Sequence, residues 1–155
     1  MKRRTRPNRP GAISESAALR IIDANLNRAK EGLRTCEDIA RFAIRSAPVL
    51  RQIAALRHAV GRAFAGGRLG NERLLSARDV AGDPGKEYRL GPGRRKLRDV
   101  FFANAQRVKE ALRVLEEVTK LFDAGASRRL QQTRFKFYEW EKTAGRRLIA
   151  LSDPR

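Results

Sequence analysis

The chain has 155 residues, of which 35 are Lys or Arg and 17 are Asp or Glu, so its formal net charge is +18. This length suits one domain, and a hydrophobic content of 41 % is enough for one core. No run approaches the ~18 apolar residues of a membrane span, and the basic N-terminus lacks the apolar stretch of a secretory signal. The single cysteine, Cys36, excludes an intrachain disulfide. We therefore expect a cytoplasmic protein without a membrane partner.

The first ten residues form the densest run of positive charge, and we predict a disordered basic tail over residues 1–15. A strongly basic chain invites a nucleic-acid interpretation. The remaining charge is dispersed along the chain, however, and aromatic residues make up only 6 %. Nucleic acid is therefore not the expected main partner, and an Arg-rich cleft suits a small phosphorylated ligand equally well.

Two helices are predicted in the first half of the chain. The first covers about 16–45, where small and apolar residues recur at three- and four-residue steps: Ala17, Ile21, Ala24, Gly32, Cys36, Ile39 and Ala43. Pro48 ends it, because proline disfavours helix in the residue before it. Proline is tolerated in a first helical turn, so a second helix is predicted over 48–64. Its apolar stripe is Val49, Ile53, Leu56 and Val60.

Residues 65–97 are rich in glycine and are predicted to be a loop with one short helical turn near 71–76. A third helix is predicted over about 97–122, and Ser127 is expected to cap a fourth that reaches about residue 151. Strand patterns are nearly absent. The predicted fold is all-α: a single helical domain over 16–151, built as a bundle of two pseudo-symmetric long-helix hairpins, 16–64 and 98–151.

An internal repeat is the clearest pattern in the sequence. Residues 24–38 and 103–117 match at an offset of 79, and the shared residues are mostly polar. In the first copy they are Ala24, Asn25, Arg28, Lys30, Glu31, Leu33, Arg34 and Glu37; in the second they are Ala103, Asn104, Arg107, Lys109, Glu110, Leu112, Arg113 and Glu116. The residues after each block match more faintly, Leu56-Arg57-His58 against Thr133-Arg134-Phe135. Two helix-hairpin halves related by a pseudo-twofold axis are expected.

The repeated polar residues allow two interpretations. In the structural one, Asn25/Asn104 and Glu37/Glu116 bond across the twofold and specify the packing. In the functional one, two rows of Asn, Arg and Glu face a shared cleft that binds an anionic, hydrogen-bonding ligand. The polar residues are identical in the two copies, whereas the core residues differ in size. This difference favours the functional interpretation.

The loop holds a second group of chemically capable residues. Arg78 is a candidate phosphate ligand, and Asp79 and Asp83 are candidate Mg²⁺ ligands because Mg²⁺ prefers carboxylate oxygens. The alternative is an ordinary charged surface turn. The only histidine, His58, is expected to be a half-buried packing residue, since its repeat partner is Phe135. Cys36 is expected in the core.

These segments resemble a known family. The run 23–34, the following Glu37-Asp38, Leu56-Arg57-His58, Ala77-Arg78-Asp79, Gly82-Asp83 and the second block at 103–117 are similar to the helical domain found N-terminal to thiamine phosphate synthase in some bacteria. That domain is described as an all-helical, second type of phosphomethylpyrimidine kinase. The resemblance covers roughly residues 19–146. One departure is Pro84-Gly85-Lys86, where a Val-Gly-Thr-like continuation is expected.

The resemblance implies an ATP-dependent phosphorylation of hydroxymethylpyrimidine phosphate to the diphosphate, a step of thiamine biosynthesis. It implies ATP as the co-substrate. Our own hypothesis, placed on the motif positions, adds Mg²⁺ and takes Arg78 and Asp79 as catalytic residues and Asp79 and Asp83 as metal ligands. The expected pyrimidine- and phosphate-binding residues are Asn25, Arg28, Arg34, Glu37, Asn104, Arg107, Arg113 and Glu116. The alternatives are a non-catalytic, pyrimidine-binding partner of thiamine phosphate synthase and a basic helical nucleic-acid binder. Whether a homodimer completes the site is left open.

Overall fold

The computed structural model describes residues 14–87, 91 and 93–152. The predicted tail therefore lies, except for its last two residues, outside the described part. Five α-helices are present there: α1 (Glu15–Ile39), α2 (Ala47–Arg62), α3 (Asn71–Ala77), α4 (Leu97–Thr119) and α5 (Ala124–Ser152). A π-helical turn, Ala40–Ile44, extends α1, and a 3₁₀ turn, Gly67–Leu69, precedes α3. The described residues contain no strand, which confirms the all-α prediction.

The helix ends follow from local chemistry. The Ser14 hydroxyl caps α1 by accepting from the Ala17 N–H at 3.1 Å. The π turn closes on Arg45, which adopts a left-handed backbone with φ of 53° and donates its N–H to the Ala40 carbonyl. The chain therefore leaves the helix before Pro48, which lies in the first turn of α2 as predicted.

The predicted start of the last helix is wrong by about one turn. The carboxylate of Asp123 accepts from the Ala126 N–H at 2.9 Å, so it supplies the cap and α5 begins at Ala124. Gly125 consequently lies inside the first turn of α5. The hydroxyl of Ser127 is buried and donates to the Glu116 carbonyl at 2.7 Å, which ties α5 to α4.

The core lies between α1 and α4, which pack most extensively, and α5 covers α4 and α2. Gly32 lies at a close approach of α1 and α4, because a Cβ built there lies 2.7 Å from Val108 Cγ2 and 3.1 Å from the Asn104 carbonyl. Trp140 joins α5 to α2 by donating from its indole N–H to the Val49 carbonyl at 2.9 Å. Helix α2 buries the predicted stripe in full: Val49, Ile53, Leu56 and Val60.

The predicted apolar stripe of α1 is partly wrong. Ile21 is exposed and Ala24 is half-buried, whereas Ile22, Leu26 and Ala29 are buried. The buried face is thus rotated by about one residue near the start of the helix. This rotation leaves Ile21 at the surface, beside the loop that follows α3.

Candidate functional site

A cleft of about 490 Å³ opens between the first half of α1 and the loop of residues 78–87 that follows α3. We call it the α1–loop cleft. It is bordered by Arg20, Ile21, Asp23, Ala24, Asn25, Arg28, Arg78, Asp79, Val80, Gly82, Asp83 and Pro84. Five residues singled out from the sequence therefore lie at one place: Asn25, Arg28, Arg78, Asp79 and Asp83.

A bidentate ion pair holds the loop against α1. Arg78 donates to Asp23 through Nε at 2.7 Å and through a terminal nitrogen at 2.8 Å. The hydrogen bonds and charge of Asp23 raise the pKa of the Arg78 guanidinium above its usual range. Sequence reasoning did not assign Asp23 to the site. The sequence feature that could have identified Asp23 is its place next to Ile22, which is buried. A carboxylate that is buried beside such a residue needs a cationic partner.

The two loop aspartates shape the loop. Asp79 accepts from the Gly82 N–H at 2.8 Å and faces Arg20 at 3.5 Å through its other oxygen. Asp83 accepts from the Gly85 N–H at 2.8 Å. Within residues 14–87, 91 and 93–152, no group of three or more His, Cys, Asp or Glu residues is placed to hold a metal ion. Magnesium at these aspartates stays a prediction.

The α1 wall of the cleft combines an amide, a cation and an apolar surface. Asn25 is buried and donates to the Ile21 carbonyl at 2.8 Å, while its own oxygen faces an Arg28 nitrogen at 3.5 Å. The side chain of Arg28 is exposed. Ile21 and Val80 present exposed apolar surface on opposite sides of the cleft. Such a cleft can hold a flat ring against apolar atoms and an anion against guanidinium groups.

Arg34 and Glu37 lie elsewhere, beside a groove between α1 and α2. The carboxylate of Glu37 is buried and accepts from Arg57 Nε at 2.7 Å and from Arg34 at 3.3 Å. The groove has a volume of about 530 Å³ and includes Arg34 and Arg57 in its wall. Glu37 therefore balances two arginines outside the α1–loop cleft.

The second half repeats this arrangement on α4 and α5. Asn104 donates to the Val100 carbonyl at 2.8 Å, as Asn25 does one repeat earlier. Glu116 accepts from Arg134 at 2.9 Å and from Arg113 at 2.6 Å. The predicted bonds of Asn25 to Asn104 and of Glu37 to Glu116 across the twofold are therefore absent from the described residues, because each side chain is bonded within its own half.

The repeated Asn, Arg and Glu residues of α1 and those of α4 also do not line one shared cleft. The Asn104 carbonyl lies over Gly32, seven residues along α1 from Asn25, which corresponds to about 10 Å of helix. Arg107 is exposed on α4. Asn25 and Arg28 line the α1–loop cleft, whereas Arg113 lies beside a separate groove near Tyr138.

Of the remaining sequence predictions, the one for Cys36 is confirmed and the one for His58 is wrong. Cys36 is fully buried, as predicted, and burial together with the charge of Glu141 raises the pKa of its thiol to about 12. His58 is exposed, so the expectation of a half-buried histidine is wrong. Among the last aromatic residues, Phe137 and Trp140 pack in the core, whereas Phe135 is exposed.

The fold and the site together define a class: an all-helical, internally repeated domain with a cleft lined by arginine and aspartate side chains. A family model described as the ThiD2 family matches residues 20–143. The chain belongs to this family. No solved structure matched the chain.

Several curated relatives are similar to most of this chain. The thiamine-phosphate synthase of Gloeobacter violaceus is 39 % identical over 134 residues, which are 85 % of this chain and 38 % of the relative. Those of Nostoc punctiforme and Synechocystis sp. are 36 % and 38 % identical over 82 % and 83 % of this chain. The chain spans only 35 % and 36 % of those two relatives. In the described part of the chain, no helix is long and apolar enough to cross a membrane.

Proposed function

We propose that this chain serves thiamine biosynthesis by binding the pyrimidine phosphate intermediate in the α1–loop cleft. The observation that carries the proposal is the meeting of Arg28 and the clamped Arg78 with exposed Ile21 and Val80 in one cleft. The relation to thiamine-phosphate synthases supplies the pathway.

Each part of the ligand has a counterpart in the cleft. Arg28 and the guanidinium nitrogen of Arg78 that Asp23 leaves free would bind the phosphate, because a guanidinium carries five N–H donors. The oxygen of Asn25 would accept from the amino group of the pyrimidine, since its one hydrogen bond within the described residues is the 3.5 Å approach of Arg28. Ile21 and Val80 would pack on the ring.

Two activities are compatible with this binding site. The first is a non-catalytic domain that binds the pyrimidine phosphate and works beside a synthase. The relatives favour it, because they bear the name thiamine-phosphate synthase and extend well beyond the matched segment. Such a domain would hold the ligand without turning over ATP.

The second activity is the phosphorylation of the pyrimidine phosphate by ATP. The observation that favours it is the position of Asp79 and Asp83 at the edge of the same cleft. Magnesium would neutralise developing charge, and it commonly takes one or two carboxylates together with substrate phosphates. The accepting phosphate oxygen is already largely ionised at neutral pH, so the chain needs to position it rather than deprotonate it.

One pair of assays tests both activities. Isothermal titration with hydroxymethylpyrimidine phosphate is run on wild type, Arg28→Gln and the control Arg128→Gln, which removes an exposed arginine on α5. We expect about 10- to 100-fold weaker binding for Arg28→Gln and unchanged binding for the control, since a charged hydrogen bond contributes about 1.5–3 kcal/mol. Equal binding by all three proteins would overturn the proposed cleft.

A coupled ADP-release assay with ATP and Mg²⁺ then separates the two activities. Turnover by wild type that Asp83→Asn lowers while pyrimidine binding persists supports the kinase. Binding without turnover supports the partner domain. Arg107→Gln is included because it is the repeat equivalent of Arg28, and a loss of binding there would move the site to the second half.

A further inference from the structure

The groove between α1 and α2 is strongly basic and lies outside the α1–loop cleft. It has a volume of about 530 Å³, and its lining includes Lys30, Arg34, Arg57, His58, Gly61 and Arg62. Glu37 is the one carboxylate bonded to these cations in the described part of the chain. Four cationic side chains thus line the groove, and one carboxylate is bonded to them.

The internal repeat supplies a matched groove for comparison. Helices α2 and α5 correspond at an offset of 77, because they begin at Ala47 and Ala124 and bury the same register of positions. The contact of Arg57 Nε with Glu37 at 2.7 Å corresponds to that of Arg134 Nε with Glu116 at 2.9 Å. Positions in the two grooves can therefore be compared one by one.

The second-half groove, between α4 and α5, is electrostatically balanced. It has a volume of about 470 Å³ and includes Lys109, Arg113 and Tyr138 in its wall. The ammonium group of Lys109 is 2.9 Å from Glu141. Arg113 contacts Glu117 at 2.8 Å as well as Glu116. The cations here are paired by acids of the same chain.

The α2 side of the first-half groove lacks the acids found on α5, although Glu37 and Asp38 of α1 match Glu116 and Glu117. At corresponding positions, Phe135, Tyr138 and Glu139 of α5 are matched by His58, Gly61 and Arg62 of α2, and Glu141 is matched by Phe64 in the turn after α2. Lys30 consequently has no acid at the position of Glu141, and a cation stands where the second half has Glu139. A Cβ built on Gly61 meets nothing within 4 Å, so the place of the tyrosine is open.

From this divergence we infer that the α1–α2 groove is a second ligand site, specific for a molecule that carries two or more linked phosphates. The charges set the class of ligand. Four cations against one carboxylate leave an excess of about three positive charges, whereas a single phosphate ester carries about −1.5 to −2 at neutral pH. Arginine forks bind phosphate oxygens in a bidentate manner, and an N–H of His58 adds a further donor at the rim.

The binding test uses inorganic pyrophosphate and triphosphate as probes, in isothermal titrations at fixed ionic strength. Arg62→Glu restores the charge found at the equivalent position of the second half, and Arg147→Glu makes the same charge change at an exposed position of α5 outside the groove. We expect Arg62→Glu to weaken triphosphate binding at least tenfold and Arg147→Glu to change it less than twofold. Equal effects of the two variants would mean that triphosphate responds only to the overall surface charge and not to the groove, and this would overturn the inference.

A second variant tests the groove by its shape. Gly61→Tyr introduces the side chain that stands at this position in the second half, into space that the structure leaves open. It also replaces a helical glycine by a better helix former, so its melting temperature should not fall. Loss of triphosphate binding in this folded variant supports the site. Retained binding places the anion elsewhere and refutes it.

Additional titrations identify the kind of ligand and test whether the groove and the α1–loop cleft bind independently. ADP added to the triphosphate titration distinguishes a nucleotide from a free polyphosphate, since only a nucleotide site prefers ADP to pyrophosphate. A single-stranded oligonucleotide that binds more tightly than triphosphate and loses affinity in both charge variants would contradict a small-molecule site. Arg62→Glu should leave pyrimidine phosphate binding unchanged, so failure of the α1–loop cleft and failure of this groove give different results.

Discussion

Breaking the buried ion pair of Glu116 with Arg134 is expected to cost more folding stability than breaking the equivalent pair in the first half, Glu37 with Arg57. Side-chain exposure is 11 % for Arg134 and 2 % for Glu116, and two guanidinium nitrogens lie 2.9 Å from one carboxylate oxygen. Replacing Arg134 with methionine removes both contacts from a carboxylate that stays buried, and it leaves Glu116 with Arg113 at 2.6 Å and Gln131 at 3.2 Å. Charged hydrogen bonds contribute about 1.5–3 kcal/mol each, and breaking a buried pair costs about 3–5 kcal/mol.

The equivalent pair in the first half gives a matched comparison. Arg57 is 30 % exposed and contacts Glu37 through one nitrogen at 2.7 Å. Arg34 stays within 3.3 Å of the same oxygen when Arg57 is removed, and water reaches the site. Arg57→Met should therefore cost about 1.5 kcal/mol, by the loss of one charged hydrogen bond.

Thermal unfolding followed by circular dichroism measures the difference. For a domain of this size, 1 kcal/mol shifts the melting temperature by about 2–4 °C, so Arg134→Met should melt about 10 °C lower and Arg57→Met roughly 4 °C lower. Equal losses of stability in the two variants, or a smaller loss for Arg134→Met than for Arg57→Met, would contradict this expectation. Either result would mean that burial does not set the cost of these pairs.

Three further outcomes follow from particular contacts. Asp23→Asn should release Arg78 and speed proteolysis of the loop at residues 78–87, with a small change in melting temperature, because it breaks an ion pair whose arginine is 41 % exposed. Gly32→Ala should destabilise the fold by about 1 kcal/mol in urea unfolding, since the clash with Val108 outweighs the gain in helix propensity. The thiol of Cys36 stays protonated in the fold up to about pH 12 but ionises near pH 8.5 when unfolded, so stability should fall as the pH rises between these values, as base titrations of unfolding will show.

The sequence was sufficient for the helices and the repeat, since both depend on local periodicity. The stripe of α2, the short helix at 71–77 and the burial of Cys36 follow from residue spacing alone. The repeat did not predict the partners of its glutamates: Glu37 bonds Arg57 and Glu116 bonds Arg134, each within its own half rather than across the twofold.

What the sequence could not supply depends on contacts between distant segments. Asp23 and Arg78 are 55 residues apart, and only the folded loop reveals that they form a pair. The cap at Asp123 was missed because both it and Ser127 are good capping residues, and the packing of Ser127 against α4 decides between them. The exposure of Ile21 depends on where α3 and the loop leave α1 uncovered.

The most direct measurement of the central claim is a nuclear magnetic resonance titration of the chain with hydroxymethylpyrimidine phosphate. We expect saturable changes in amide chemical shift concentrated at residues 20–28 and 78–84, which border the α1–loop cleft. The amide signals of α4 and α5 should stay nearly unchanged. An absence of saturable changes, or changes confined to α4 and α5, would contradict the assignment of this cleft as the pyrimidine site.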